Sequence, residues 1–531
     1  MKLDSLASSA KNTIKNGFNS LKHDLTLKNF KNMLTKPVFW LFVIFLVILA
    51  VRLVIAFQTP LFNYDAYGNL RQIEAIRETG LPAYKDTLSF GGKTNLFAPL
   101  NHYIIAFFSL LMPFSVAAKV IPNIIATLII FVVYYLSLKI TKNNKISMFT
   151  AIMSGLVPIY FVDLNRISIS YLAILLIFSI IYCMLKLNER KYVDYALILM
   201  FLLVLATPLA FVLVVGLFIY LLLLKLENHA IEMKELEIIL FFTFLVFWVN
   251  LLIYKNAFLS HGLLVIWQNI PLEILNEFFV SIGFVESLVA IGIIPIIFGV
   301  YAFYASLNYS KDNKEVLLII SLGFSTFILL WFKLIDLING LMFLGITLTV
   351  LTAYSLKRFN DFLDKSKIHK YDKILQVFLI VLFLLTSVPS IISIVASENL
   401  GPYDTPTFDE VKVLQWASEN TPRSATIMSG LDEGNIVAYY ANRKNVMDTN
   451  FLLTPRIDQR LKDINDIYTT KFETQAIGIM NSYKSKYLVV SPKTLEEYDT
   501  PMPAYLNNNE CFQLEYYSSD TYLYRMDCKI E

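Results

Sequence analysis

The run VFWLFVIFLVILAVRLVIAF, Val38–Phe57, decides the class of the chain. It carries one charge, Arg52, and as a helix rising 1.5 Å per residue it spans the roughly 30 Å of bilayer hydrocarbon. Apolar runs of this kind recur as far as Val395, whereas a signal peptide supplies a single apolar core of about 7 to 15 residues. Of 531 residues, 56% are hydrophobic and 16% charged, so the bilayer is the solvent for most of the chain. The net charge of +3 is dispersed and offers no basic face for nucleic acid.

Charge asymmetry sets the expected topology. Residues 1–36 hold seven lysines against two aspartates, which puts this basic N-terminal segment in the cytoplasm. The polar stretch Gln58–Pro99 is then outside, and Leu100–Pro113 is too short to cross, so it is read as interfacial. Further spans are expected near 116–138, 146–162, 171–187, 193–206, 209–225, 238–254, 287–305, 315–332, 337–355 and 374–395. Basic clusters such as Lys139, Lys142 and Lys145, or Lys186, Arg190 and Lys191, fall in the cytoplasmic turns. The fold class is therefore a polytopic α-helical membrane protein of about eleven transmembrane helices. An odd number of spans leaves residues 396–531 outside as an extracytoplasmic α/β domain at the C-terminus. In it Phe408–Glu419 reads as a helix, and Thr426–Met428 and Tyr487–Val490 as strands. Cys511 and Cys528 both fall in that domain, where an oxidising exterior permits a disulfide or leaves two thiols; Cys183 lies in an apolar span. The transmembrane part is 37–395.

Chemistry needs polar groups at the membrane surface. In NYDAYGNLRQ, Asn63–Gln72, Asp65 follows the first span closely, and a carboxylate there is a general base or a divalent-cation ligand, or else a solvated loop charge. Asp163 lies three residues before Arg166, with which it can pair, and Glu273 and Glu277 stand at helical spacing in the loop Asn256–Glu286. Lys333, in the turn Trp331–Gly340, is placed to meet a phosphate or to snorkel to the headgroups. Arg52 either snorkels outward or lines a polar cavity.

The first of these segments resembles the first external loop of the oligosaccharyltransferase catalytic subunit family, with Asp65, Tyr67, Leu70 and Arg71 as the matching residues. In order along the chain follow the interfacial segment near Pro99, a helix ending at Lys139, then Pro158 and Arg166. Trp416–Pro422 (WASENTP), Gly430–Asn435 (GLDEGN) and Tyr439–Phe451 (YYANRKNVMDTNF) look like the external-domain motifs of that family, in its archaeal type. The resemblance places the chain among the C-type membrane glycosyltransferases, which use polyprenyl-phosphate-linked sugars. It departs where the family has WWDYG: here Gly430-Leu431-Asp432-Glu433-Gly434 keeps Asp432 and Gly434 and lacks both tryptophans, which removes most of a sequon pocket's contact area.

The resemblance implies an inverting glycosyl transfer from a polyprenyl-phosphate-linked donor to a protein or lipid acceptor outside the plasma membrane, with membrane lipid around the enzyme and the donor entering from the bilayer. Asp65 is the expected catalytic residue; Arg71, Arg166, Lys333 and Asp432 are expected to bind substrate. Asp65, Asp163, Glu273 and Glu277 are expected to hold Mg²⁺ or Mn²⁺ if the reaction uses a metal. The rivals are a transporter or lipid flippase, which inverted repeats would favour, and a non-catalytic paralogue in a glycosylation complex.

Overall fold

A computed structural model describes residues 36–262, 265, 283–309, 314–366, 372–396, 404–507 and 510–529. A helix stands at each place where a span is expected, but among the described residues six are long and apolar enough to cross a membrane: Pro37–Ala56, Phe114–Thr141, Met233–His261, Lys314–Trp331, Leu337–Asp364 and Ile374–Val395. A seventh is the pair Phe284–Ile291 and Ile293–Ser306, bent by 88°. The bend falls at Gly292, whose φ of 102° a side chain would resist, so the single helix expected at 287–305 is a broken one. The segment expected to span 146–162 is also shorter. Its helix, Asn144–Gly155, begins where the Asn143 side chain accepts from the backbone N–H groups of Lys145 and Ile146. It stops before Pro158, and a 3₁₀ turn, Pro158–Phe161, follows.

Of these six helices, Phe114–Thr141 and Leu337–Asp364 are the most buried. Arg52 neither snorkels nor faces a cavity. It is buried, donates to Asn123 Oδ1 at 3.1 Å and to the Tyr160 carbonyl at 2.9 Å, and lies over the rings of Phe161 and Tyr171. An intramembrane charge is tolerated where its donors find such partners.

After the last long helix the chain builds a five-stranded sheet from β3 (Thr426–Met428), β4 (Lys444–Asn445), β5 (Ser485–Val490), β6 (Phe512–Ser518) and β7 (Thr521–Met526); β1 (Lys85–Asp86) and β2 (Lys93–Thr94) form a separate two-stranded ribbon. The order is β4-β3-β5-β7-β6, parallel in its first three strands and antiparallel beyond. Cys511 and Cys528 are joined by a disulfide at the open end of the β6–β7 hairpin.

Candidate active site

The segment after the first long helix is fixed before it reaches Asp65. The buried ammonium of Lys119 donates to the carbonyls of Ala56, Thr59 and Leu61 at 2.8, 2.6 and 3.1 Å and to Asn165 Oδ1 at 3.1 Å. The Asn63 N–H then donates to the Asn165 carbonyl at 3.3 Å, which joins the Asp65 segment to the loop carrying Asp163 and Arg166. The helix Tyr64–Thr79 begins there and ends at Gly80, at φ 79°. From Leu61 to Gly68 every residue is buried except Asp65. Its carboxylate sits in the first turn, where the exposed N–H groups of the helix favour negative charge.

Asp65 opens into a cavity of 1240 Å³ whose walls come from four separate parts of the chain. Beside Asp65 stand Asp163 and Arg166, then Asp336 and Asn339 from the start of the Leu337–Asp364 helix, and Asp404, Glu410, Asp432, Lys493, Glu496 and Glu497 from the sheet-bearing part. Among the lining residues, eight carboxylates face two cations, Arg166 and Lys493. Arg166 forms an ion pair with Asp163 at 3.8 Å; burial opposes its charge, yet Asp163, Asp65, Asp404 and Asp432 around it hold it more firmly protonated. Lys493 pairs with Asp404 at 3.3 Å and Asp432 at 3.7 Å. The surplus of acid shows in the carboxyls: burial, then the charge of Asp65, pushes Asp432 up to about 6, and burial with Asp432 and Glu433 pushes Glu497 up to about 8.

The turn Gly430–Gly434 is clamped by Glu433. Its buried carboxylate accepts from the Gly430 N–H at 2.9 Å, from Thr494 Oγ1 at 2.6 Å and from Ser491 Oγ, so Asp432 on one arm and Lys493 on the other reach the cavity together. Gly434 allows this close approach, since a Cβ there would meet the Met447 carbonyl oxygen within van der Waals distance. Two contacts tie the Asp65 helix to the sheet-bearing part: Tyr64 Oη donates to Glu410 Oε1 at 2.8 Å and Tyr440 Oη to Tyr67 Oη at 3.0 Å, while Lys93 of β2 pairs with buried Asp448.

Of the residues singled out from sequence, Asp65, Asp163, Arg166 and Asp432 meet in one cavity. Arg71 does not line it. Its guanidinium is committed to Asp86 through a bidentate pair at 2.8 and 3.1 Å, which braces β1 against the helix. Lys333 lies exposed in its turn and does not line the cavity, whereas Asp336 of the same turn does. Asp336 accepts from the Asn339 N–H at 2.7 Å as the cap of the following helix, and burial raises its carboxyl. Glu273 and Glu277 lie outside the described residues. Asp404, Lys493 and Glu497 carried no sequence signal, because only the fold brings residues so far apart in the chain to Asp65.

A divalent cation needs oxygen ligands, and Asp163 Oδ1, buried without a hydrogen-bond donor, is one acceptor with unfilled capacity in the cavity of Asp65. Among the described residues, no three His, Cys, Asp or Glu side chains group as a metal site. Two carboxylates fit a cation that takes its other ligands from water and phosphate.

No family model matches the chain. Dolichyl-phosphooligosaccharide-protein glycotransferase 2 of Archaeoglobus fulgidus is 31% identical over 103 residues, covering 18% of this chain and 17% of that protein. The oligosaccharyltransferase of Archaeoglobus fulgidus, solved tethered with an acceptor peptide containing the NVT sequon, superposes with TM-score 0.62 at 13% identity, over 92% of this chain and 74% of that one; it has also been solved in complex with Zn and sulfate. ArnT from Cupriavidus metallidurans, bound to undecaprenyl phosphate, superposes with TM-score 0.54 at 13% identity, over 90% of this chain and 97% of that one. The chain has the fold of the C-type membrane glycosyltransferases, with an archaeal oligosaccharyltransferase and ArnT among its structural neighbours.

Proposed function

We propose that the chain is a glycosyltransferase that moves sugar from a polyprenyl-phosphate carrier to an acceptor hydroxyl or amide. The observation that carries this reading is Asp65, exposed within an otherwise buried segment and facing a cavity shared with Asp163, Arg166 and Asp432. Its neighbours in fold include proteins solved with undecaprenyl phosphate and with an acceptor peptide. In the reaction the acceptor heteroatom attacks the anomeric carbon and forms the new glycosidic bond with inversion. The bond from that carbon to the phosphate oxygen breaks, its electron pair leaves with the lipid phosphate, and the acceptor proton passes to Asp65.

Arg166 stabilises charge that develops on the phosphate, with Lys333 on the neighbouring turn meeting the lipid-borne group. Asp65 and Asp163 would hold a divalent cation, which supplies charge neutralisation to the leaving phosphate. On the acceptor side, Leu431 lines the cavity within the turn where the resembling family has tryptophans, so the pocket has less aromatic surface for a sequon. A protein or lipid acceptor other than a sequon asparagine is therefore the first choice.

In this reading all the apolar helices from Pro37 to Val395 traverse or enter the bilayer, the cavity opens on the outer face, and the Cys511–Cys528 disulfide suits an oxidising exterior. The test is transfer of radiolabelled sugar from a polyprenyl-phosphate donor in proteoliposomes. Asp65→Ala is expected to lower turnover at least about 100-fold with unchanged folding; full turnover removes the proposed centre.

A further inference from the structure

A second cavity lies among the helices Phe114–Thr141, Ile169–Met184 and Arg190–Ala206. It is a groove of 310 Å³ lined by Phe131, Tyr135, Ser179, Cys183, Ile198, Leu199 and their neighbours, and its open walls are apolar. Its lip is a chain of tyrosine rings: Tyr135 against Tyr182 with centroids 6.0 Å apart, Tyr182 against Tyr192 at 5.9 Å, and Tyr192 against Tyr195 at 6.1 Å. Such a ring of aromatics with polar tips belongs at the boundary between hydrocarbon and headgroups.

The end of this groove is positively charged. Lys186 lies 4.7 Å from both the Tyr182 and Tyr192 ring centroids and donates to Tyr192 Oη at 3.1 Å, so residues that wall the groove also hold its cation. Lys139 comes from the neighbouring helix, and Arg190 and Lys191 from the turn itself, against Glu189 and Asp194. Glu189 is paired with Lys191 at 2.9 Å, and Lys191 first, then Lys186 and Lys139, hold its carboxyl below the usual range. Two tyrosine contacts leave Lys186 one of its three N–H groups for a ligand oxygen.

The groove and the active-site cavity lie toward opposite ends of one shared helix. The helix Ile169–Met184 leaves the Arg166 loop at the cavity and arrives at Lys186 about 24 Å away, at 1.5 Å per residue. A site at that end is beyond the reach of a donor headgroup bound at Asp65.

We propose that this groove binds an anionic membrane phospholipid, with one apolar chain between the helices Phe114–Thr141, Ile169–Met184 and Arg190–Ala206 and its phosphate at Lys186. Charge complementarity selects the occupant: an apolar slot that faces the bilayer and ends in a surplus of cations suits a chain that ends in phosphate. The phospholipid fills a gap between three helices, one of which begins at the catalytic loop. The site is independent of the proposed transfer reaction.

Native mass spectrometry of the full chain released from detergent tests it, with phosphatidylglycerol and phosphatidylcholine as the two probes. Wild type is expected to retain phosphatidylglycerol at least fivefold more than phosphatidylcholine. Lys186→Gln should reduce that preference to about one, and Ile198→Trp, at an exposed position on the lip, should reduce retention of both lipids at least fivefold. Ser179→Trp, from another wall of the slot, should repeat the Ile198→Trp result. Equal retention of the two lipids by wild type overturns the proposal, as does undiminished retention by Ile198→Trp.

Discussion

Lys119 and Asn165 are joined by a 3.1 Å hydrogen bond inside the bundle, and through it one buried ammonium holds both the peptide that leads to Asp65 and the loop that carries Asp163 and Arg166. The same group accepts no substitute easily. Lys119→Met leaves three carbonyls and an amide oxygen without their donor, and each buried acceptor so stranded costs about 1 to 3 kcal/mol. The expected outcome is a clear fall in melting temperature together with loss of sugar transfer, whereas Lys119→Arg keeps part of both. Differential scanning fluorimetry in detergent, run beside the transfer assay, measures the two effects.

Acid crowding in the cavity gives a stability profile with a definite sign. Asp432 is raised to about 6 and Glu497 to about 8, while in an unfolded chain such groups ionise near 4. The folded protein therefore holds protons that the unfolded chain has released, and this contribution to stability is lost as pH climbs from about 4 to 8. Glu497→Gln should melt higher than wild type at pH 8, by roughly 2 °C or more, and match it at pH 4. Coincident curves at pH 8 contradict the assignment.

Gly434 is the point where the turn bearing Asp432 passes closest to another strand of backbone. Gly434→Ala sets a methyl against the Met447 carbonyl and the Asp448 side chain, and neither is the flexible end of a long residue. We expect a loss of about 3 kcal/mol. Transfer should fall as well, because Asp432 and Lys493 are displaced together; an active variant of wild-type stability would show that the turn is more pliable than its packing indicates.

The disulfide closes a loop of 17 residues around the outer hairpin of the sheet. Chain-entropy arguments put the stabilisation at about 3 kcal/mol. Cys528→Ser is expected to open β6–β7 to limited proteolysis while the helical bundle resists digestion, as read by fragment mass.

What the sequence reveals here follows from locality. Apolar runs mark helices because burial in lipid is decided residue by residue, and Asp65 stands out because it follows a span by only a few positions. Strand β3 and the helix Phe408–Asn420 are similarly legible from β-branched and amphipathic patterns. The hairpin β6–β7 is not, since its tyrosines and serines do not alternate cleanly between buried and exposed. Arg71 shows a related limit: its bidentate partner Asp86 lies in β1, whose place beside the helix only the fold reveals. Lys493 meets Asp432 across 61 residues, a pairing that depends on the Glu433 clamp. Helix lengths fail at Gly292 and Pro158, where backbone geometry overrules an apolar pattern.

Glu410 spends one oxygen on the hydroxyl of Tyr64 and the other on the N–H of Thr407, the cap of its own helix. Residue 64 adjoins the proposed base, so any tilt of the Phe408–Asn420 helix is transmitted through a single carboxylate to the neighbour of Asp65. The sheet-bearing part of the chain and the proposed base are thereby mechanically yoked, and an acceptor that shifts the one re-aims the other.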